Sequence, residues 1–417
     1  PTALTARVAR LEALHAAIAA AASAEQWAQA ETLEQQFQGL VDELAVLNAP
    51  HAALYAPPAL NLAQTGALLD HRHGRGGWAC LSYSWVGAAP RVLHRFYWDG
   101  DTLQAWPAPL TAQTRRLIEL ACRPELSYRR HFFSPAAAAT RARVQEALLP
   151  ETIARRLQPG QTLYILPSGP LASFPFAALA LAESFLGWQL HLSQAPSLPL
   201  LQALTARSGD GPARQLAATR ALICALAGFE GPEALPQLPA VAAEAERLAR
   251  LVGPDSLVLR DAAATPAQLA ALQDAGRLET FDLLHLATHA RFNAAQAALS
   301  AIILHGGELL LPDILAWRLS ADLVTLAACD TALGHVQAGD EQMGLAHAFL
   351  IAGAKALLAS LWPVADAATA HFFDVFYTAL AAENASPAQA LTVARRALAA
   401  EAPSPLAWGA FTLIGLA

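Results

Sequence analysis

Strand-length apolar runs alternate with helix-length amphipathic runs throughout residues 219–417. Most of these apolar runs are continuous, as in strands that are covered on both faces of a parallel sheet. Parallel strands need a crossover connection, which is usually a helix, so the alternation predicts an α/β fold with a mostly parallel sheet and helices on both faces. The predicted strands are 221–227, 256–259, 282–287, 301–304, 323–327, 356–361 and 410–414. The predicted helices are 239–252, 265–275, 340–352, 366–382 and 387–400.

The upstream part of the chain divides at two polar or proline-rich stretches. Residues 1–50 carry apolar residues at heptad-like spacing with a break near 23–26, which predicts a helical hairpin. The hairpin is either a plain packing pair or the end of a repeat array that continues upstream. Residues 59–207 mix strands with helices, and 208–218 form a linker before the second unit, 219–417. The smaller elements expected in 59–207 are strands at 77–87, 91–98, 102–106 and 162–166, and helices at 111–122, 138–156, 176–181 and 198–207.

Charge and composition exclude several classes of function. The net charge of −7 and the pI near 6.0 argue against general binding to nucleic acid or to anionic membranes, since both need a basic surface. No run of about 18 strongly apolar residues predicts a membrane span. The first residues do not resemble a signal peptide, and the absence of an initial Met indicates a piece of a longer protein. The four cysteines are far apart and form no CxxC pair, so we expect a reducing, cytoplasmic location.

Two of the predicted parallel strands end in groups capable of nucleophilic catalysis. His289 follows the strand 281–287, and Cys329 follows the strand 322–328. Ligands of open parallel sheets lie beyond the carboxyl ends of the strands, so a thiol and an imidazole there are a plausible nucleophile and base. The alternative is that Cys329 is a buried small hydrophobe and His289 a structural histidine. A zinc site at His285 and His289 is a weaker alternative, because no glutamate follows His285 as in HExxH.

Several segments of the chain resemble the successive motifs of CHAT domains, which are caspase-like domains often found beside tetratricopeptide repeats. The four that carry the resemblance are FDLLHLATHAR (281–291), LVTLAACDTALG (323–334), DEQMGLAHAFLIAGA (340–354) and ALLASLWPVADAAT (356–369). Two upstream segments, 163–179 and 195–201, extend it, so that it covers roughly residues 60–417. The resemblance implies the caspase–separase fold, with a catalytic half at 219–417. It also implies that 59–207 is a degenerate caspase-like half without the catalytic pair.

The resemblance also assigns roles to individual residues. Cys329 matches the nucleophile of the family and His289 its histidine, while the backbone amides of Ala290 and Cys329 would bind the oxyanion. The family usually has glycine where this chain has Ala290. If the backbone there needs a positive φ, alanine would impair the oxyanion site, because only glycine adopts any φ without strain.

The function that these roles imply is a cysteine endopeptidase that needs neither metal nor organic cofactor. Its protein substrate would bind as an extended strand beside residues 360–362. The residues expected at the substrate are Asp330, Glu341, Trp362 and Asp366, although Trp362 fits a plain core position equally well and the acids equally fit helix caps. Control by a partner or an upstream repeat module is expected, in bacterial defence or death-like signalling. The alternative is a catalytically silent CHAT domain that serves as a protein-interaction module.

Overall fold

The computed structural model describes residues 26–47, 60–85, 90–123, 125–208, 215–229, 235–291, 299–327, 340–382 and 385–417, together with single helical residues between 7 and 21. The strands are β1 Trp78–Ser84, β2 Val92–Trp98, β3 Leu103–Pro109, β4 Thr162–Leu166, β5 Ala180–Leu181, β6 Ser184–Phe185, β7 His191–Gln194, β8 Ala221–Ala225, β9 Leu257–Arg260, β10 Leu283–Ala287, β11 Ala290–Arg291, β12 Ala301–Leu304, β13 Gly307–Leu310, β14 Leu323–Leu326, β15 Ala356–Ser360 and β16 Phe411–Gly415. The helices are α1 Trp27–Leu47, α2 Leu62–His73, α3 Ala112–Cys122, α4 Leu126–Phe132, α5 Ala138–Leu148, α6 Glu151–Ala154, α7 Leu186–Gln189, α8 Leu198–Arg207, α9 Ala240–Leu251, α10 Pro266–Asp274, α11 Leu311–Leu315, α12 Asp340–Ala352, α13 Asp366–Leu380, α14 Pro387–Glu401 and α15 Pro405–Trp408.

One sheet of 11 strands runs through both halves of the chain, in the order β3-β2-β1-β4-β7-β16-β15-β14-β10-β8-β9. The strands β9, β8, β10, β14 and β15 are parallel to one another, and β1, β4, β7 and β16 form a second parallel block. The two blocks meet where β15 pairs antiparallel with β16. The last strand of the chain therefore joins the two halves, and the fold is α/β with a mostly parallel sheet, as predicted.

The two parallel blocks run in opposite directions, so the strand ends that could carry catalytic groups lie at opposite edges of the sheet. The carboxyl ends of β8, β10 and β14 meet at one edge of the sheet, and those of β1, β4 and β7 lie at the other. His289 follows β10 at the first of these edges. The residues directly after β1, β4 and β7 include neither Cys nor His, which agrees with a half that lacks the catalytic pair.

Alternate residues of the central strands face two separate apolar cores. In β8, Ala221, Ile223 and Ala225 belong to the core that also contains Phe373 of α13. Leu222 and Cys224 point the other way, into a core shared with α10 and α12. Because successive strand residues point to opposite faces, this division places helices on both faces of the sheet. Burial on both sides explains why these strands read as continuous apolar runs.

Two helices in the second half begin after N-cap residues whose side chains accept a hydrogen bond from the first turn. The side chain of Thr265 accepts a hydrogen bond from the amide of Gln268, with proline at the first position of α10. Ser386 does the same for α14 through a capping box with Gln389. Such caps satisfy amides that the helix itself leaves without partners, so these predicted helix starts are confirmed.

The structure differs from the predicted elements mainly in the first half. The single helix expected over 138–156 is two, α5 and α6, because Pro150 cannot continue the first one. The short helix expected over 176–181 is a 3₁₀ turn at Phe176–Ala178, followed by β5. The four-residue strand β7 was not predicted, although it joins the two halves of the sheet through β16.

At the N-terminal end, the helix α1 is joined to the preceding helical residues by an ion pair between Arg7 and Glu43, 3.3 Å apart. These two residues are 36 positions apart in the sequence, so the ion pair is a long-range contact. Within the part of the chain that the structure describes, no helix is both long enough and apolar enough to cross a bilayer.

Candidate functional site

His289 lies two residues beyond the carboxyl end of β10, where the chain turns into β11. The preceding residue, Thr288, is buried, and its hydroxyl donates to the carbonyl of Ile303 at 2.6 Å. The amide of Ile303 in turn donates to the carbonyl of His289 at 2.9 Å. These bonds to a neighbouring strand fix the backbone on both sides of the imidazole, and only 1% of His289 is exposed.

The imidazole of His289 is oriented by a backbone carbonyl. Its Nε2 atom lies 2.8 Å from the carbonyl oxygen of Pro236. A carbonyl oxygen can only accept, so Nε2 carries the proton in this hydrogen bond. In a neutral imidazole the other nitrogen, Nδ1, then has its lone pair available, and within the described residues Nδ1 has no hydrogen-bond partner. The geometry therefore sets Nδ1 as the basic nitrogen.

The segment that orients His289 is held to the end of β8. The amide of Leu238 donates to the carbonyl of Ala227 at 2.9 Å, and the side chain of Gln237 donates to the carbonyl of Phe229 at 3.3 Å. The ring of Phe229 lies against the imidazole, with 4.4 Å between the ring centroids. The imidazole is thus held both through Nε2 and through one ring face.

Ala290, where the resemblance leads one to expect glycine, lies in the extended strand β11 and is buried. Its φ is not positive, so an alanine side chain introduces no backbone strain there. Ala290 pairs with Ile302 in antiparallel register. The bond from the amide of Ile303 to the carbonyl of His289 makes this a non-hydrogen-bonded pair, so the amide of Ala290 points away from β12.

Cys329 and Asp330 lie outside the described residues, as does the side chain of Glu341. The pairing register of β10 and β14 can still be compared with the sequence separation of His289 and Cys329. Leu283 pairs with Leu323, and Leu286 pairs with Leu326, which is a constant offset of 40. His289 and Cys329 have the same offset, 329 − 289 = 40. In the sequence, both residues therefore follow the last position paired between β10 and β14 by three residues.

Two expected substrate residues have structural partners in the described part of the chain. Trp362 is 1% exposed, and its indole nitrogen donates to the carbonyl of Leu406 at 3.1 Å, while the guanidinium of Arg129 lies over its ring. Trp362 therefore occupies a core position rather than an exposed position at the substrate. The carboxylate of Asp366 accepts from the amide of Ala240 at 2.8 Å. Asp366 thus caps the neighbouring helix α9, rather than its own helix α13.

The three cysteines that the structure describes are all buried: Cys80, Cys122 and Cys224. Burial raises the pKa of each thiol, to about 12 for Cys122 and Cys224 and further for Cys80. A thiol with so high a pKa is neither a nucleophile nor a metal ligand at neutral pH. Among the described residues no cluster of three or more His, Cys, Asp or Glu side chains is placed to hold a metal ion.

A buried polar cluster that the sequence did not predict surrounds His285 in the middle of β10. Its Nδ1 lies 2.8 Å from the hydroxyl of Thr325 and 3.0 Å from that of Tyr377. Its Nε2 lies 2.9 Å from Glu244, an ion-pair distance, although the angle is not that of a directed hydrogen bond. The four residues of the cluster, His285 included, come from β10, β14, α9 and α13, so only the tertiary fold brings them together. His285 is fully buried and does not share a site with His289.

The sheet topology and the position of the histidine define a caspase-like α/β protein. Residues 139–416, about two thirds of the chain, match the model of the CHAT domain, and the protein belongs to the CHAT family. This match begins later than the expected residue 60.

Comparisons with individual proteins agree with this family. The chain is 42% identical over 113 residues to tetratricopeptide repeat protein 28 of Mus musculus and 38% identical to that of Homo sapiens, in each case over 26% of the chain and only 4% of the relative. Two structures of the separase–securin complex of Saccharomyces cerevisiae share the fold, with TM-scores of 0.53 and 0.54 at 9% and 11% identity. They cover 84% and 88% of this chain, which spans only 30% and 31% of the separase-complex chains.

Proposed function

We propose that this protein is a cysteine endopeptidase in which Cys329 is the nucleophile and His289 the general base. The observation that carries the proposal is the hydrogen bond from Nε2 of His289 to the carbonyl of Pro236. It leaves Nδ1 as the nitrogen that can take a proton, on a residue two positions beyond the carboxyl end of β10. The offset of 40 between paired residues of β10 and β14 also separates His289 from Cys329 in the sequence, which supports the proposal that Cys329 follows β14 as His289 follows β10.

The reaction begins when Nδ1 of His289 takes the proton from the thiol of Cys329 and the sulfur attacks the scissile carbonyl carbon. The carbonyl oxygen becomes an oxyanion, which the amides of Ala290 and Cys329 stabilise. His289 then gives its proton to the leaving amine, and the peptide bond breaks to leave a thioester on Cys329. Water, deprotonated by His289, attacks this thioester and releases the acid product together with the free thiol.

Two features of the described residues support these roles. The extended backbone of Ala290, with its amide directed away from β12, is compatible with donation to an oxyanion. The carbonyl of Pro236 also stabilises the imidazolium that forms when Nδ1 takes a proton, because it keeps accepting from Nε2. No step requires a metal ion or an organic cofactor.

We further propose that the peptidase is latent until a partner or a repeat module engages it. His289 is almost completely buried, and the ring of Phe229 covers one face of the imidazole. A substrate carbonyl needs access to this edge of the sheet. The tetratricopeptide repeats in the names of the relatives and the securin in the separase complexes support control by protein partners. We further propose that the peptidase acts in the cytoplasm, in bacterial defence or death-like signalling.

The same burial favours the second candidate function, a silent CHAT domain that acts as a protein-interaction module. In that case His289 is a structural residue bonded to Pro236, and Cys329 has no chemical role. Fold membership does not by itself decide between the two functions.

Mapping of new protein N-termini in cells that produce the intact protein separates these functions. Cys329→Ala and His289→Ala should each remove the same set of cleavage sites. Cys224→Ala is the matched control, because it removes a buried thiol from β8, next to β10 in the sheet. A set of cleavage sites that depends on the protein but persists in Cys329→Ala would refute the proposed nucleophile and favour the interaction module.

A further inference from the structure

A small cavity, lined mostly by apolar side chains with a few polar groups among them, lies between the two halves of the sheet, away from His289. Its volume is about 10 Å³, and its walls come from both halves. The first half contributes Gln194 at the end of β7, and the second contributes Arg395 of α14 and Thr412 of β16. A cavity of this size holds one water-sized species and no organic ligand.

The guanidinium of Arg395 enters this cavity with most of its donors unused. Arg395 is 2% exposed, and one terminal nitrogen, Nη2, donates to the carbonyl of Phe411 at 2.6 Å. Its Nε and Nη1 atoms have no acceptor in the described part of the chain, nor does Arg395 form an ion pair there. Burial lowers its pKa to about 9, so the guanidinium still carries its charge at neutral pH.

The second polar wall is the carboxamide of Gln194, which is 4% exposed. Its oxygen, like the two nitrogens of Arg395, is buried without a hydrogen-bond partner in the described residues. A half-turn about the last side-chain bond exchanges the amide oxygen and nitrogen, so either group can face the cavity. The cavity is thus lined by an arginine without a counter-ion and by a carboxamide that can present either its oxygen or its nitrogen.

A buried charge without a counter-ion is strongly unfavourable, and unused buried N–H groups add to that cost. A water molecule would satisfy the hydrogen bonds but leave the charge unpaired. A monatomic anion satisfies both the hydrogen bonds and the charge. We propose that this cavity is a binding site for a monatomic anion, with chloride as the physiological ligand, held by Nε and Nη1 of Arg395 and by the amide of Gln194. The bound anion stabilises the junction between the halves.

Thermal unfolding of the intact protein in chloride and gluconate tests the site. At constant ionic strength and pH, replacing gluconate with chloride should raise Tm along a saturable curve, by about 2–4 °C at high occupancy. Constant ionic strength removes general screening as the cause of the shift. If the two salts give the same Tm, the cavity holds only water and the proposal is wrong.

Two variants and one control identify the residues. Arg395→Met should abolish the chloride dependence, and Gln194→Glu should also abolish it while raising Tm in gluconate, because the new carboxylate replaces the anion. Arg129→Met is the control: this fully buried arginine donates to the carbonyls of Ala121, Cys122 and Ser173. The chloride response should remain in that variant. A lower Tm of Gln194→Glu in gluconate would contradict the proposal.

Crystals of the unmodified protein grown in bromide test the anion position directly. Because no variant is used, a folding defect cannot explain the result. Anomalous scattering should place one bromide within hydrogen-bonding distance of both Nε and Nη1 of Arg395. Bromide at surface sites only, with a water molecule beside Arg395, would overturn the proposal.

Discussion

Arg291 of β11 forms an ion pair with Glu308 of β13, although it lies only two residues past His289. The two strands are held in one small sheet by β12, which pairs with both. About a third of each side chain is exposed, with values of 34% and 37%. The cation closest in sequence to the histidine is therefore already paired with a carboxylate.

This pairing supports a prediction about the residue just before the cleaved bond, which should not be aspartate. The segments 329–334, 339–344 and 360–369, expected to form the pocket, contain no Arg or Lys, and their acidic residues are Asp330, Asp340, Glu341 and Asp366. A desolvated substrate aspartate would be repelled by such groups. Basic and apolar residues remain equally expected. A positional peptide library should show this, with Arg291→Gln leaving the preference unchanged; a strong preference for Asp would contradict the pocket assignment.

Cys329 should be the most reactive thiol of the protein. Cys80, Cys122 and Cys224 are buried, and burial raises the pKa of each. The thiolate is the reactive form, so these three should react slowly in the folded state. Iodoacetamide at limiting dose, followed by peptide mass spectrometry, should label Cys329 at least about tenfold faster than the others, and in His289→Ala this difference should shrink. Preferential labelling of a buried cysteine in the folded protein would count against the catalytic pair.

The pattern of the sequence was sufficient to predict most of the second half of the fold. Strands such as β8 and β10 are buried on both faces, and so their apolar runs are unbroken. The helix α14 begins with a capping box and a proline, both of which can be recognised in sequence. The position of His289 at a strand end also follows from these local patterns.

Features that depend on contacts between distant residues could not be predicted in this way. The strand β7 has only four residues, and its place beside β16 depends on a segment about 220 positions away. The carbonyl of Pro236 is a backbone group, so no residue type marks it as the partner of His289. Trp362 lies two residues beyond β15, and sequence alone could not separate a core position from one at the substrate.

The cluster around His285 predicts a stabilising rather than a catalytic role for this histidine. His285→Ala should lower the free energy of unfolding by about 3 kcal/mol, because it leaves a cavity and removes the neighbour of the buried Glu244. Denaturant unfolding measures this loss. A double-mutant cycle with Glu244→Ala should be non-additive, since the two side chains are in contact. Loss of cleavage in a well-folded His285→Ala protein, with cleavage retained in His289→Ala, would reverse the two roles.

His73 at the end of α2 packs on the first half of the sheet. Its Nε2 lies 2.9 Å from the hydroxyl of Tyr164, and its ring meets that of the tyrosine edge to face. Burial lowers the pKa of His73 to about 4, helped by the nearby charges of Arg72 and His191. The folded protein therefore favours the neutral imidazole, whereas the unfolded chain takes up a proton near pH 6.5.

This difference predicts that part of the stability is lost in mild acid. Above pH 6.5 neither the folded nor the unfolded state binds the proton, and His73 contributes no pH dependence. Between pH 6.5 and about 4 only the unfolded state binds it, so the free energy of unfolding falls as the pH is lowered. Below pH 4 both states bind the proton, and the fall ends. The loss is at most about 3 kcal/mol. Denaturant midpoints from pH 7.5 to 4 should fall less steeply in His73→Gln than in the unmodified protein. His71→Gln, on the same helix but at an exposed position, is the control. Equal slopes for His73→Gln and the unmodified protein would show that the imidazole titrates alike in both states.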